Sequence, residues 1–514
     1  MKARVPAATR REQEHRWPEM CGVCGMFGGS DGTVAGLMTG ALHHRGPDDD
    51  YVVSRDGFAF GVRRLSIVDV AHGRQPVSNE DGTIWAAQNG EIYNFPELRP
   101  QLIARGHTFR AHADTEVLPH LYEDFGTDVP KHIDGMFAIA IWDSRRRIGL
   151  LARDRMGKKP LYYWRQGERV YFASELKSLL KCRVQPHTQP RSAAPLLSFK
   201  HVPHPLTIFN GVSMLPPAHQ MVIAPGKEPV ISRYWDVDFS VDETLAAQPE
   251  EVLVDEFLRL FKQGVRRRLM ADVPIGFFLS GGLDSSLSTA VAAEMTGRIK
   301  TFTLTYGTGS TTAGKEADRH WAGFVARKYG TEHHEESIEF GNYPEHLRRI
   351  LTSFDEPFAG VVSSYFLSQL IARHVKVAIA GDGADEIFGS YRSHRDAAQF
   401  ADGAPVTAEW RAKLLVYSER AKRELYHPDV AEALANTSTV DHLRATFAQV
   451  KTNDPLNRVL EAEFRTILPD QILTYVDRLS MAHSLEVRSA YLDTDVVSFV
   501  GKLPGTLKIA TARP

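Results

Sequence analysis

The chain has 514 residues, 43% hydrophobic and 24% charged, with a formal net charge of -2 and three cysteines. That length exceeds what one hydrophobic core supports and predicts at least two domains, while the near-neutral balance gives no electrostatic case for nucleic acid or an anionic membrane as partner. Three cysteines cannot build a disulfide framework at this size, which places the chain in a reducing compartment, the cytoplasm.

Residues 1–20 are polar and mixed in charge, without the apolar stretch of a signal peptide. They read as an extension to the folded protein. No later stretch reaches the roughly 18 apolar residues of a membrane helix. Cys21 and Cys24 follow in C-x-x-C spacing, a pattern shared by redox pairs, half-sites for metals and sequences where it carries no chemistry. From Cys21 to about 225, short apolar runs such as "TIWAAQNGEIYNF" and "MFAIAIWD" are separated by Gly, Asp and Asn turns, predicting a mostly β domain. Residues 226–250 are rich in Pro, Gly and charge and read as a linker. After them "EEVLVDEFLRLFKQGVRRRLM" has apolar residues at helical spacing. In 251–514, "VPIGFFLSGG", "IKTFTLTYG" and "VKVAIAGDG" alternate with helical segments, predicting an α/β domain around a parallel sheet.

The strongest chemical signal is "FFLSGGLDSS", residues 277–286. Ser280, Gly281 and Gly282 let backbone approach a polyanion, the helix that follows turns its amino terminus toward it, and Asp284 can hold a divalent cation. The pattern is not a Walker loop, because G-x-x-x-x-G-K-[ST] is absent. It is similar to the pyrophosphate loop of ATP pyrophosphatases. A second cluster, Gly381, Asp382, Gly383, Ala384, Asp385 and Glu386, follows a predicted strand and suits Mg²⁺ bound to phosphates. Its bland alternative is a solvated acidic turn.

Together with "DEPFAG" (355–360) and "DRLSMAHSLEVRSAYLD" (477–493), these stretches resemble the synthetase domain of the glutamine-dependent asparagine synthetase family. The amino-terminal half resembles the same family through "HHRGPDD" (43–49), "RRLSIVD" (63–69), "QNGEIYN" (88–94) and "HADTEV" (112–117). The resemblance implies an α+β sandwich of sheets flanked by helices, of the N-terminal-nucleophile (Ntn) hydrolase type, over residues 21–225. An ATP pyrophosphatase-like α/β domain over 251–514 follows.

It also implies roles. Cys21 matches a nucleophile that becomes the amino terminus once Met20 is removed, with its own α-amine as base. The C-x-x-C spacing is then accidental, and residues 1–20 are expected to be absent from the mature protein. Arg64 would pair with the α-carboxylate of glutamine, Leu65, Ser66, Ile67 and Val68 would shape that wall, and Glu91 and Asp114 would hold the α-ammonium. Asn89 and the N–H of Gly90 would form the oxyanion hole. For ATP the implied contacts are Phe278, Leu279, Ser280, Gly281, Gly282, Asp284, Ser285, Ser286, Leu304, Ala380 and Gly381. Asp284 and Asp385 would share Mg²⁺, and Asp382 would manage protons during amide formation.

His333 and His334 read as structural. Expected partners are glutamine, ATP and a carboxylate acceptor, without nucleic acid or membrane; a homodimer is one assembly the resemblance allows. Two departures bear on function. Ala380 and "RSAYLD" differ from the family's usual serine and "RVPFLD", hinting at an acceptor other than aspartate. The chain also stops at "LPGTLKIATARP", before the helix that carries the family's catalytic lysine, so the resemblance leaves that role unassigned. The alternatives are a lactam-forming synthetase on the same scaffold and a non-catalytic glutamine- or nucleotide-binding relative.

Overall fold

The structure, a computed structural model, describes residues 21–46, 48–182, 186–306, 315–338, 343–400 and 406–509. The amino-terminal extension with Met20, and the last five residues, lie outside the described residues. Among the described residues no helix is long and apolar enough to cross a membrane.

Among the described residues, twelve strands occupy the first half: β1 (Gly22–Phe27), β2 (Asp49–Arg55), β3 (Phe58–Arg64), β4 (Val77–Ser78), β5 (Ile84–Ile92), β6 (Gly135–Asp143), β7 (Ile148–Arg153), β8 (Tyr162–Gln166), β9 (Arg169–Ala173), β10 (Val212–Met214), β11 (His219–Ile223) and β12 (Val230–Arg233). They form two six-stranded antiparallel sheets, ordered β10-β8-β9-β1-β3-β2 and β12-β11-β7-β6-β5-β4.

The run "MFAIAIWD" shows why they stack. Alternate residues of β6 point to opposite faces: Ala138, Ala140 and Trp142 join Phe27, Phe60 and Phe172 of the other sheet between the layers, while Phe137, Ile139 and Ile141 pack outward against helix Val117–Phe125. Both faces are buried, so the strand reads as one apolar run. Helix Gly32–Gly40 covers the outer face of the first sheet. The result is a helix–sheet–sheet–helix sandwich, as the resemblance implied. The stretch read as linker supplies β12, whose Val230 and Ile231 are exposed at the sheet edge and gave no alternating burial signal.

The second half holds β13 (Ile275–Phe278), β14 (Lys300–Tyr306), β15 (Glu332–Ile338), β16 (Val377–Ala380) and β17 (Glu486–Ser489), all parallel, in the order β15-β14-β13-β16-β17. Chain order runs outward from β13 on one side, then restarts with β16 on the other. A crevice opens at the carboxyl ends of strands where a parallel sheet reverses direction in this way, and both acidic and glycine-rich loops of the sequence leave from these two strands.

Candidate active site

Cys21 stands immediately before β1 and is half-buried, its Sγ 3.7 Å from the carbonyl of Leu65. Burial pushes the thiol up to about 12, and the charge of Glu91 acts in the same direction. Cys24 projects to the opposite face, its Sγ 3.4 Å from Thr39 Oγ1. All three cysteines are free, so the C-x-x-C spacing bridges nothing.

Beside Cys21, the end of β5 carries Asn89, Gly90 and Glu91. Asn89 Nδ2 donates to Ser174 Oγ (3.2 Å), which also accepts from Val23 N (3.0 Å), tying the amide to the start of β1. Asn89 Oδ1 is buried without a partner. Gly90 has φ +135°, and a Cβ there would meet Met136 O at 1.9 Å, so only glycine fits.

Arg64 donates to the carbonyls of Val68 (3.0 Å), Asp69 (2.7 Å) and Val70 (3.3 Å), which folds the 65–70 segment around its guanidinium. Two of its five N–H groups stay free for a carboxylate. Asp114 accepts from Gln88 Nε2 (2.6 Å) and from the N–H groups of Ile92 and Thr115 (2.8 Å each). Burial nevertheless raises its carboxyl above the usual range. Glu91 is raised well above it by burial and by Asp114 and Glu486, against the pull of Arg488, whose Nη2 lies 3.4 Å from Glu91 Oε1. A cationic group entering between Glu91 and Asp114 would relieve both.

The second constellation lines a cleft of about 320 Å³ at the carboxyl ends of β13 and β16. Phe278, Leu279, Ser280, Gly282, Asp284, Ser285, Leu304, Ala380 and Gly381 all face it, as do Asp382 and Asp385. Ser280 Oγ and Ser285 Oγ lie 3.1 Å apart, and Ser280 Oγ accepts from Gly282 N (3.3 Å), which shapes the turn. Gly281, at φ +85°, presses against helix Lys315–Tyr329, where a Cβ would sit 2.4 Å from Asp318 O. It and Ser286 stand outside the cleft wall.

A Cβ on Gly381 would lie 3.1 Å from that of Asp284, so the two loops abut. Burial and the charge of Asp385 push Asp284 up to about 6. Two hard carboxylates that repel each other fit Mg²⁺, which takes oxygen donors and few protein ligands. Asp382 is raised by burial, partly offset by Lys158 of the amino-terminal half; Asp382 Oδ2 and Lys158 Nζ are both buried without hydrogen-bond partners. His333 and His334 sit on edge strand β15, hydrogen-bonded to Thr301 (2.9 Å) and Glu332 (3.1 Å).

Both halves are joined between these sites. Leu65 and Ile67 pack with Val377 and Met481, and Cys21 touches this apolar cluster together with Val273 and Ile275. Alongside it, Arg45 is wholly buried and makes a two-pronged contact with Asp477 (2.8 and 2.9 Å), a further bond to Glu175 (2.7 Å), and a 3.3 Å bond from Nε to the carbonyl of Cys21. Arg478 closes the circuit on Glu175 (2.8 Å).

The model of the glutamine amidotransferase domain family matches residues 20–235, and that of the asparagine synthase family matches residues 256–513. Asparagine synthetase [glutamine-hydrolyzing] 1 of Bacillus subtilis (strain 168) is 32% identical over 536 residues, covering 95% of this chain and 82% of that protein. The same organism's Asparagine synthetase [glutamine-hydrolyzing] 3 is 34% identical over 499 residues, covering 92% and 78%. The chain belongs to the glutamine-hydrolysing asparagine synthetase family. It is a glutamine-dependent carbon–nitrogen ligase by type.

Within this family member, the residues assigned from sequence fall into two groups, one around Cys21 and one around the cleft. Sequence reasoning passed over the side chains that join them. Arg45 lies in "HHRGPDD" and Asp477 and Arg478 in "DRLSMAHS", stretches that carried the resemblance but had no role attached. Ser174, Glu175, Lys158 and Arg488 were also missed. The available signal was charge inside otherwise apolar strands and turns, because a charge that is buried must be paired.

Proposed function

We propose that the chain hydrolyses glutamine at Cys21 and delivers the ammonia to an acyl adenylate formed from ATP and a small carboxylic acid, aspartate or a specialised metabolite, in the cleft of the parallel sheet. The observation that carries this reading is the continuous junction between the two constellations, in which apolar Leu65, Ile67, Val377 and Met481 start at Cys21 and reach β16.

On this reading the Cys21 thiolate attacks the side-chain amide carbon of glutamine. Its raised thiol requires a base at hand, and the α-amine of Cys21 supplies one once residues 1–20 are removed. Asn89 Nδ2 and the N–H of Gly90 take the developing oxyanion, worth roughly 3 kcal/mol of barrier per donor. Arg64 holds the α-carboxylate with its free N–H groups, and Glu91 and Asp114 hold the α-ammonium. Collapse releases ammonia, and water then cleaves the thioester to glutamate. An apolar passage keeps ammonia neutral and nucleophilic, where water at pH 7 would protonate it.

In the cleft, the Ser280–Ser285 turn cradles the pyrophosphate of ATP. Asp284 and Asp385 would hold Mg²⁺, which supplies charge neutralisation on the phosphates. The acceptor carboxylate displaces pyrophosphate, ammonia displaces AMP, and Asp382 takes the proton that amide formation releases. Ala380, which lines the cleft in place of the family's usual serine, supports an acid other than aspartate. A cytoplasmic location belongs to the same reading.

The test is Cys21→Ala assayed for AMP and pyrophosphate over a panel of carboxylic acids. With glutamine as nitrogen donor, amide formation is expected to fall by about 10⁴-fold or more, while added ammonia restores it. Undiminished product from glutamine overturns the reading. AMP release that needs no nitrogen donor points to lactam closure instead.

A further inference from the structure

Four side chains converge beyond the other end of β5, whose Ile84 is itself roughly 16 Å from Asn89 by strand rise. Glu80 stands in the turn between β4 and β5, His107 follows helix Phe95–Ala104, and His120 and Glu123 lie one turn apart on helix Val117–Phe125. His107 Nδ1 is 3.5 Å from Glu123 Oε2 and 3.8 Å from Glu80 Oε1, and His120 Nδ1 is 3.6 Å from both Glu80 Oε2 and Glu123 Oε2. All four ligand atoms lie within 4.8 Å of one another. His120 is 1% exposed, and neither of its ring nitrogens has a hydrogen-bond partner.

These separations are too long for N–H···O bonds, which run about 2.7–3.2 Å. They approach the spacing around a tetrahedral ion, since ligand bonds of about 2.0–2.2 Å put neighbouring donor atoms about 3.3–3.6 Å apart. The surroundings orient the donors. Asp124 Oδ1 lies 3.2 Å from His107 Nε2 while Asp124 Oδ2 accepts from Arg105 (2.9 Å), which leaves the Nδ1 lone pair of His107 facing the cluster. Glu80 Oε1 accepts from Thr108 N (2.6 Å) and Glu123 Oε1 from Asn79 Nδ2 (3.0 Å), so each carboxylate keeps Oε2 for the centre.

We propose that Glu80, His107, His120 and Glu123 form a structural binding site for a divalent transition-metal ion of the zinc class. Two imidazoles select against Mg²⁺ and Ca²⁺, which prefer oxygen alone, and four protein ligands leave no open position for catalysis. The ion would clasp the 79–83 turn and the 105–108 segment to the helix that begins just after Asp114. It therefore braces the segment that carries a pocket residue.

The test uses the full chain bearing Cys21→Ser, which removes the accessible thiol as a competing ligand. Protein stripped by a chelator and desalted is titrated with Zn²⁺, and separately with Co²⁺. One equivalent retained by elemental analysis, the visible d–d bands of a tetrahedral Co²⁺ site and a Zn²⁺-dependent rise in Tm are expected. His107→Gln and Glu123→Gln, both partly exposed and so tolerated by the fold, should each weaken binding at least tenfold and abolish the Co²⁺ bands. No retained metal, or equal retention by the parent and both variants, overturns the site and leaves a histidine–carboxylate salt cluster.

Discussion

The pocket around Cys21 and the cleft of the parallel sheet handle charge in opposite ways. At the Cys21 end, Arg64 and Asp114 are each held in part by backbone groups, and Glu91 leans on Arg488, which comes from the other half of the chain. In the cleft, burial and the neighbouring Asp385 raise the cost of charge on Asp284, and both carboxylates are built from the loops of one sheet. The first site is therefore a property of the assembled molecule. The second, apart from Lys158 facing Asp382, belongs to one sheet and is completed by the charges its ligand brings.

The largest expected effect comes from breaking the junction. Arg45→Met leaves Asp477 buried without its main cation and takes from Glu175 a partner at 2.7 Å, and loss of one partner in a buried network costs about 3–5 kcal/mol, read as the free energy of unfolding in denaturant. Glutamine hydrolysis should fall further than ammonia-driven AMP release, because Arg45 also anchors the carbonyl of Cys21. Equal losses in both reactions would erase the contrast.

The same network has a pH signature. Burial alone would raise Glu175 and Asp477, but Arg478 and His44 at the first, and Arg45 and Lys159 at the second, hold both below the ordinary carboxylate range. Their contribution is complete above the unfolded pKa, about 4, and is lost as the pH falls through the lower folded values. The wild type should accordingly shed stability in acid over this window, and Arg45→Met should shed less, because the Asp477 share rests mainly on Arg45 while Arg478 and His44 still hold Glu175.

Next in size is Asn89→Ala, which removes one proposed oxyanion donor while Ser174 keeps its bonds to β1. Glutaminase kcat is expected to drop about 10²–10³-fold, or roughly 2.7–4 kcal/mol, with ammonia-dependent turnover unchanged. A KM effect without a kcat effect would recast Asn89 as a binding residue.

These contrasts bear on what the sequence could tell. The parallel sheet was legible at β13, β14 and β16 because each is an apolar run followed in the sequence by glycine. β15, "EHHEESI", was not, since an edge strand half open to water needs no apolar face. The cleft residues were legible for a related reason: one loop after each of two adjacent strands brings them together. The junction was not, because Arg45 and Asp477 are 432 positions apart and nothing local to either says that the other neutralises it. Arg64 lay between these cases. Its place beside the pocket followed from the resemblance, whereas its grip on the carbonyls of Val68, Asp69 and Val70 depends on a turn that only the folded chain defines.

The smallest expected effect, Glu91→Gln, probes the contrast most directly because it separates stability from binding. Burial, with Asp114 and Glu486 close by, raises Glu91 well above the usual range even though Arg488 and Lys159 oppose it. In the unfolded chain the same carboxyl ionises at about pH 4. Between that pH and the raised folded value the native state holds the extra proton, so ionisation erodes stability progressively as the pH rises, and the cost is complete above the folded value. The amide variant has no such titration. It should match the wild type in denaturation midpoint below about pH 4 and gain on it as the pH rises from there, while KM for glutamine rises roughly 10–100-fold from loss of a charged partner to the α-ammonium. A stability gap that stayed flat with pH, or closed as pH rose, would make Glu91 a stabilising ion-pair partner of Arg488, and the Cys21 pocket would then hold its charges no differently from the junction beside it.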